Sequence, residues 1–233
     1  MKILKWIGNC LKWAVILFFG TSILAVVVYK FLPVPLSPLM VIRLVEQAAD
    51  GHQLKLVHRW VPLDSISPDL PLAVWATEDQ NYMKHNGFDF EQIKAAYEEA
   101  QRGGRERGAS TISQQTAKNV FLWPAHSWVR KGLEAYFTIL IEVVWGKERI
   151  MEVYLNTIEM GDGIYGAEAV AHEHFGCDAL HLTKQQCALI AVSLPNPRRM
   201  DSAHPSRYMY RRQTWALRQM RYLQRFPRKS DEK

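Results

Sequence analysis

The chain has 233 residues, 48% of them hydrophobic, and a formal net charge of +6 at pH 7. That length suits one ordinary domain with an appendage and excludes two large ones, while the apolar content excludes global disorder. The positive balance favours an anionic partner such as nucleic acid, lipid headgroups or pyrophosphate, and the three cysteines (Cys10, Cys177, Cys187) supply neither a disulfide framework nor a C-x-x-C pair.

Residues 13–29, WAVILFFGTSILAVVVY, contain no charged side chain, and Phe31 and Leu32 extend the run past Lys30. A bilayer core takes roughly 20 apolar helical residues, so this segment is expected to span it, with Lys12 and Lys30 reaching the interfaces. Lys2, Lys5 and Lys12 orient the N-terminus (1–12) to the cytoplasm and the remainder to the exported side. The run is long for the apolar part of a signal peptide, and no small-x-small cleavage pattern follows it. A transmembrane helix over 13–32 is the expectation.

A Pro-rich connector, PVPLSP at 33–38, reads as extended. A short helix is expected at 41–51 and a loosely extended stretch at 52–63. An apolar run then ends at Glu78. From there helical signals dominate. FEQIKAAYEEAQR at 90–102 stops at Gly103 and Gly104, and STISQQTAKNVFL at 110–122 opens on Ser110 and Thr111 as caps. Further helices are expected at 127–146, 147–159, 167–175, 184–192 and 205–226, with a Gly-rich turn at 161–166. No run of strands is evident. Cys177 and Cys187 are read as two buried thiols, with pairing as the alternative.

Four blocks could carry chemistry. In E-D-Q-N-Y-M-K-H-N-G at 78–87, Glu78 and Asp79 directly follow apolar sequence. A carboxylate at such an edge has its pKa raised, which suits an acid or base, although a structural loop is the competing reading. In G-A-S-T-I-S-Q-Q-T-A-K-N at 108–119, Thr111, Gln115 and Lys118 share one helical face and could bind sugar or anionic oxygens; a solvated polar face is the bland alternative. In R-K-G-L-E at 130–134, Arg130 and Glu134 are spaced for an intrahelical ion pair, yet with Lys118 and Lys131 they could converge on a diphosphate. In K-E-R-I-M-E-V-Y-L-N at 147–156, Glu152 and Asn156 share a face. The G-D-G-I-Y-G that follows is no nucleotide fingerprint, because no strand precedes it. His172-Glu173-His174 lacks metalloprotease spacing and reads as a satisfied or exposed pair. The arginines of the last helix could suit nucleic acid, but Trp215, Leu217, Met220 and Leu223 mark a packing face.

These blocks, with A-L-I-A-V-S-L-P-N-P at 188–197, resemble the ordered motifs of the family 51 peptidoglycan glycosyltransferases, most nearly the monofunctional transglycosylases of Gram-negative bacteria. The likeness runs from the anchor to about residue 197. It implies a mainly α, lysozyme-like glycosyltransferase domain over 76–226, with a smaller membrane-proximal lobe over 33–75, one preceding transmembrane helix and a tail at 227–233. The implied activity is inverting polymerisation of lipid II into β-1,4-linked glycan with release of polyprenyl diphosphate. Glu78 matches the family's catalytic glutamate, which takes the proton from the attacking 4-hydroxyl. Glu134 matches the second essential glutamate, holding the diphosphate with Lys118, Arg130 and Lys131, directly or through a divalent cation (Mg or Mn). Asp79, His85, Ser110, Thr111, Gln115, Glu152 and Asn156 match supporting, substrate-binding positions, and residues 103–108 match a mobile loop beside the cleft.

No organic cofactor is implied. The implied partners are lipid II, the growing lipid-linked strand, the bacterial inner membrane and other wall-synthesis proteins, not nucleic acid, with the catalytic domain in the periplasm. Tyr82 departs from the family's usual Phe, and His174 from its usual Tyr. The 233 residues contain no K-T-G, and their one S-x-x-K is S-D-E-K at 230–233 in the charged tail, so polymerisation without peptide cross-linking is expected. Two rivals remain: a lysozyme-like hydrolase or lytic transglycosylase, which has no use for the cationic cluster, and a non-catalytic scaffold, which has no use for Glu78.

Overall fold

The computed structural model describes residues 2–103, 108, 110–125 and 127–228; most of the loop expected at 103–108 and the end of the tail lie outside the described residues. Among the described residues, ten α-helices, two short 3-10 helices and one small sheet make up the regular structure.

Helix α1 (Lys2–Phe31) is apolar over Lys5–Phe31 with a mean hydropathy of 2.2, long enough to cross a membrane and mostly unburied. Its C-terminal half docks on helix α6 (Trp128–Val144) and the start of α7 (Gly146–Thr157). The Ser22 and Tyr136 hydroxyls lie 2.8 Å apart, Trp145 Nε1 donates to Val26 O at 2.6 Å, and Arg149 donates to the carbonyls of Tyr29 and Leu32. Carbonyls at a helix end have no intrahelical donor, so a guanidinium placed there satisfies them and complements the helix dipole.

Helix α2 (Pro38–Ala49) starts three residues before its expected position because Ser37 caps it and Pro38 suits the first turn. The extended stretch yields only strand β1 (Val57–His58), parallel to β3 (Ile164–Tyr165), which pairs antiparallel with β2 (Glu159–Gly161). The expected Gly-rich turn is therefore a hairpin. Gly163 sits in it at φ +67°, and a Cβ there would lie 2.4 Å from Lys55 O. Strands of two and three residues leave no alternating pattern to read. Residues 33–75 are knit into the main body: Val34 is fully buried, β1 extends the sheet, and Ser67 N donates to Ala179 O at 2.9 Å.

Helices α3 (Asp69–Glu78) and α9 (Lys184–Ser193) form the centre, apolar on nearly every side and packed on one another. Around them lie α4 (Phe90–Gln101), α5 (Ile112–Phe121), α8 (Ala167–Phe175) and α10 (Arg207–Gln219). Asp89, Thr111, Ser127, Thr183 and Ser206 each cap the helix that follows. Helix α10 ends at Gln219, not near 226. The chain turns back there to bury Phe226, which stacks on Tyr82 at 6.3 Å and meets the edge of Trp75. All three cysteines are free thiols.

Candidate active site

Glu78 is the last residue of α3, delivered by a buried helix to the mouth of a cleft. Its Oε2 accepts from Gln115 Nε2 at 3.0 Å, and Gln115 Oε1 in turn accepts from the Tyr154 hydroxyl at 3.1 Å. Tyr154 is fully buried, and its pKa is pushed well up by that burial and by Glu78 and Asp79, so it remains a neutral donor. The chain Tyr154, Gln115, Glu78 therefore orients the amide and aims its N–H at the carboxylate. Burial raises the Glu78 pKa; Gln115, Arg212 and Lys118 pull against that, while Asp79 adds to it.

Behind Glu78, a brace holds the segment to the start of α5. Buried Asp79 accepts from Ile112 N at 3.0 Å and from His85 Nε2 at 3.0 and 3.1 Å. Gly87 N donates to His85 Nδ1 at 3.2 Å, which leaves the ring hydrogen on Nε2. Thr111 Oγ1 accepts from Gln114 N as the α5 cap and donates to Gly87 O at 2.6 Å. Gly87 has φ +93°, and a Cβ there would lie 2.8 Å from Thr138, so this close approach requires glycine. Asp79, His85 and Thr111 thus act first as positioning groups.

Two cavities meet at this point. The smaller, about 90 Å3, is lined by Glu78, Asp79, Ser110, Thr111 and Trp215. The larger, about 380 Å3, is lined by Gln115, Lys118, Arg130, Arg43 and Glu159. Gln115 walls the larger and bonds to Glu78, which walls the smaller, so Glu78 stands on the seam. Beside the larger cavity, buried Glu134 accepts from Arg130 Nη1 at 2.6 Å and from Lys131 Nζ. The Lys118 pKa is lowered, chiefly by burial and then by the cations Arg130 and Lys131, against the pull of Glu134 and Glu78. Such a lysine gains on meeting an anion, because the anion restores the charge that burial disfavours.

The structure thus gathers Glu78, Gln115, Lys118, Arg130, Lys131 and Glu134 around one cleft, with Ser110 on its rim. It places Glu152 and Asn156 elsewhere. Glu152 pairs with Arg149 at 3.0 Å beside the anchor. Fully buried Asn156 exchanges bonds with Val61, Oδ1 accepting from its N–H and Nδ2 donating to its carbonyl, both at 2.9 Å, in the manner of a strand partner. A divalent cation beside Glu134 fits poorly: each of its oxygens already accepts from a cation, and Lys118 adds a third positive charge.

Three residues that the sequence did not single out reach the cleft. Arg43 and Glu159 line the larger cavity, with Arg43 Nε and Glu159 Oε1 lacking hydrogen-bond partners among the described residues. Arg212 acts on Glu78 and lies over the Trp215 ring at 4.3 Å. Only α10's arginine-rich character hinted at the last. The two departures are structural. The Tyr82 hydroxyl donates to Lys147 O at 2.8 Å, and His174 Nδ1 lies 2.7 Å from Ser202 Oγ.

Residues 47–221 match the family model described as transglycosylase. The chain is 58% identical over 226 residues to the biosynthetic peptidoglycan transglycosylase of Bacteroides thetaiotaomicron, covering 97% of this chain and 90% of that one. It is 50% identical over 215 residues to the protein of that name from Pseudomonas fluorescens, covering 92% and 88%. With the protein of that name from Bdellovibrio bacteriovorus the identity is 53% over 210 residues, covering 90% and 82%.

Proposed function

The chain belongs to the transglycosylase family, and from that premise we propose that it polymerises lipid II into β-1,4-linked glycan, Glu78 acting as base and the Lys118–Arg130 side of the cleft holding the departing diphosphate. It is a glycosyltransferase of peptidoglycan synthesis. The observation that carries the finer reading is the position of Glu78 on the seam between a small polar cavity and a larger cationic one.

In this reading the acceptor sugar enters the smaller cavity, and its 4-hydroxyl gives its proton to Glu78 Oε. The freed oxygen attacks the anomeric carbon of the growing strand from the face opposite the diphosphate, which inverts that carbon. The anomeric C–O bond breaks, and its electron pair leaves on the diphosphate. Lys118 and Arg130 meet that developing charge in a site where burial strengthens every ionic contact. Glu134 keeps Arg130 and Lys131 in place. A raised carboxyl pKa brings the base nearer the working pH, which favours proton transfer.

The reading places α1 across the inner membrane with its N-terminus cytoplasmic and the cleft in the periplasm, supported by the lysines that flank the apolar run. It assigns polymerisation without cross-linking, supported by the lack of K-T-G in these residues.

The test uses detergent-solubilised protein and labelled lipid II. Wild type is expected to release polyprenyl diphosphate and make lysozyme-sensitive polymer, and Glu78→Gln to lose about 10²–10⁴-fold in rate while keeping its helical spectrum. Cleavage of preformed glycan without polymerisation would replace this reading with a hydrolase.

A further inference from the structure

Away from the cleft, on the face where α8 turns into the segment before α9, four potential ligands gather. Glu168 and His172 lie one turn apart on α8, while Asp178 and His181 come from the short turn that follows. His172 Nε2 is 3.1 Å from Glu168 Oε1 and 3.2 Å from Asp178 Oδ1, and His181 Nδ1 is 3.6 Å from Asp178 Oδ2. The ligand atoms of Glu168, His172 and Asp178 all lie within 4.8 Å of one another.

Hydrogen bonding alone leaves this corner unbalanced. His172 Nε2 carries at most one hydrogen, yet two carboxylate oxygens face it at bonding distance. Arg59 Nη1 stands 3.8 Å from Glu168 Oε1, but its side chain is 70% exposed and free to swing aside. Glu168 itself is held from behind: Ala179 N donates to Oε2 at 2.9 Å, which fixes the carboxylate with Oε1 turned toward the histidine. Such a backing bond to a ligand is the usual outer shell of a metal site. Two ligands of a tetrahedral zinc with bonds of about 2.1 Å lie about 3.4 Å apart, close to both separations here.

Among the described residues, the other three-residue group of this kind, Asp79, His85 and Asp89, shows the contrast. Both His85 nitrogens have protein partners, Asp79 accepts from Ile112 N, and Asp89 accepts from Gln92 N and from Asn81 Nδ2. That group is closed by its own hydrogen bonds, whereas the corner on α8 is open to solvent and short of positive charge.

We propose that Glu168, His172 and Asp178, completed by His181, form a site for a divalent transition metal, zinc foremost. Carboxylates ligate zinc as well as magnesium or calcium, but two imidazoles, which are borderline donors, tip the set toward zinc. The ion would clamp α8 to the 178–181 turn. That turn also receives the backbone bond from Ser67, just before α3, so the clamp would steady the helix that carries Glu78.

The experiment uses the full chain without a polyhistidine tag, purified in detergent, stripped with chelator and titrated calorimetrically with zinc chloride. One equivalent is expected to bind and to raise the thermal midpoint. Asp178→Asn, an exposed and nearly isosteric change, and His172→Ala should each weaken binding more than about 10-fold, because even loss of an outer-shell partner costs that much. His204→Ala, at an exposed histidine outside the cluster, should bind as wild type does, and lipid II polymerisation by Asp178→Asn should be unchanged in the absence of zinc. Failure of the wild type to take up zinc at micromolar concentration, or equal uptake by Asp178→Asn and His172→Ala, would overturn the proposal.

Discussion

Glu78 is held where its charge is least welcome. Burial raises its pKa, so the folded state binds that proton more tightly than the unfolded chain does. For a carboxyl shifted upward, stability is greatest below the ordinary carboxylate value and falls as pH rises through the folded one. Glu78→Gln removes the penalty. The variant should therefore melt at a higher temperature than wild type near pH 8, with the gain vanishing near pH 4, where both states are protonated. Scanning calorimetry across that range decides it, and an unchanged midpoint at pH 8 would show that Gln115, Arg212 and Lys118 already offset the burial. The same shift should carry the acid limb of the wild-type kcat/KM profile above the usual carboxylate range. Lys118 is the mirror case: burial lowers its pKa, and an arriving diphosphate reverses that. Lys118→Met should cost about 10²–10³-fold in kcat, the scale for one lost stabilising donor, in steady-state polymerisation.

Helix α5 ties the elements of the site together. Its Thr111 hydroxyl caps it and also holds Gly87 O, so one side chain joins the end of the first motif to the start of the second. Thr111→Val removes a cap and strips a buried carbonyl of its donor, for a loss of about 2 kcal/mol. A lower thermal midpoint, restored by Thr111→Ser, is the expected result. At this scale the sequence was informative wherever caps and helical spacing set the outcome, as at Thr111. It was silent on the sheet, because β1 is held by its pairing with β3 and by Asn156 grasping Val61, contacts between residues far apart in the chain. The end of α10 was misjudged for a similar reason, since Phe226 is drawn back by Tyr82 and Trp75 rather than by any local stop signal.

Large apolar side chains are exposed beyond helix α1 as well. Trp128 is 92% exposed and Val143 80% on α6, and Phe90 and Tyr97 protrude from α4. In the proposed placement of the domain beside the membrane, exposed apolar side chains of this kind suit contact with lipid. Deleting residues 1–32 should therefore leave a protein that still floats with phospholipid vesicles, although less completely than the full chain. Recovery of the deletion variant wholly in the aqueous fraction would assign all membrane affinity to α1. Arg149→Ala tests the docking of the anchor: it frees the Tyr29 and Leu32 carbonyls and should speed proteolysis of the 33–37 connector.

Composition and local spacing determined the apolar anchor, the helical class, and the order of the blocks that carry Glu78, Gln115, Lys118, Arg130 and Glu134. Those features are local: a run of apolar residues, a cap, or a shared face at i and i+4 is written within a few residues of itself. Only the tertiary structure decided that Asp79 and His85 brace Glu78, that Asn156 fastens a strand, and that Arg43, Glu159 and Arg212 reach the cleft. Helical periodicity says which side of a helix a residue occupies. What that side faces depends on how helices distant in the chain pack together, and that is settled by burial of the whole core.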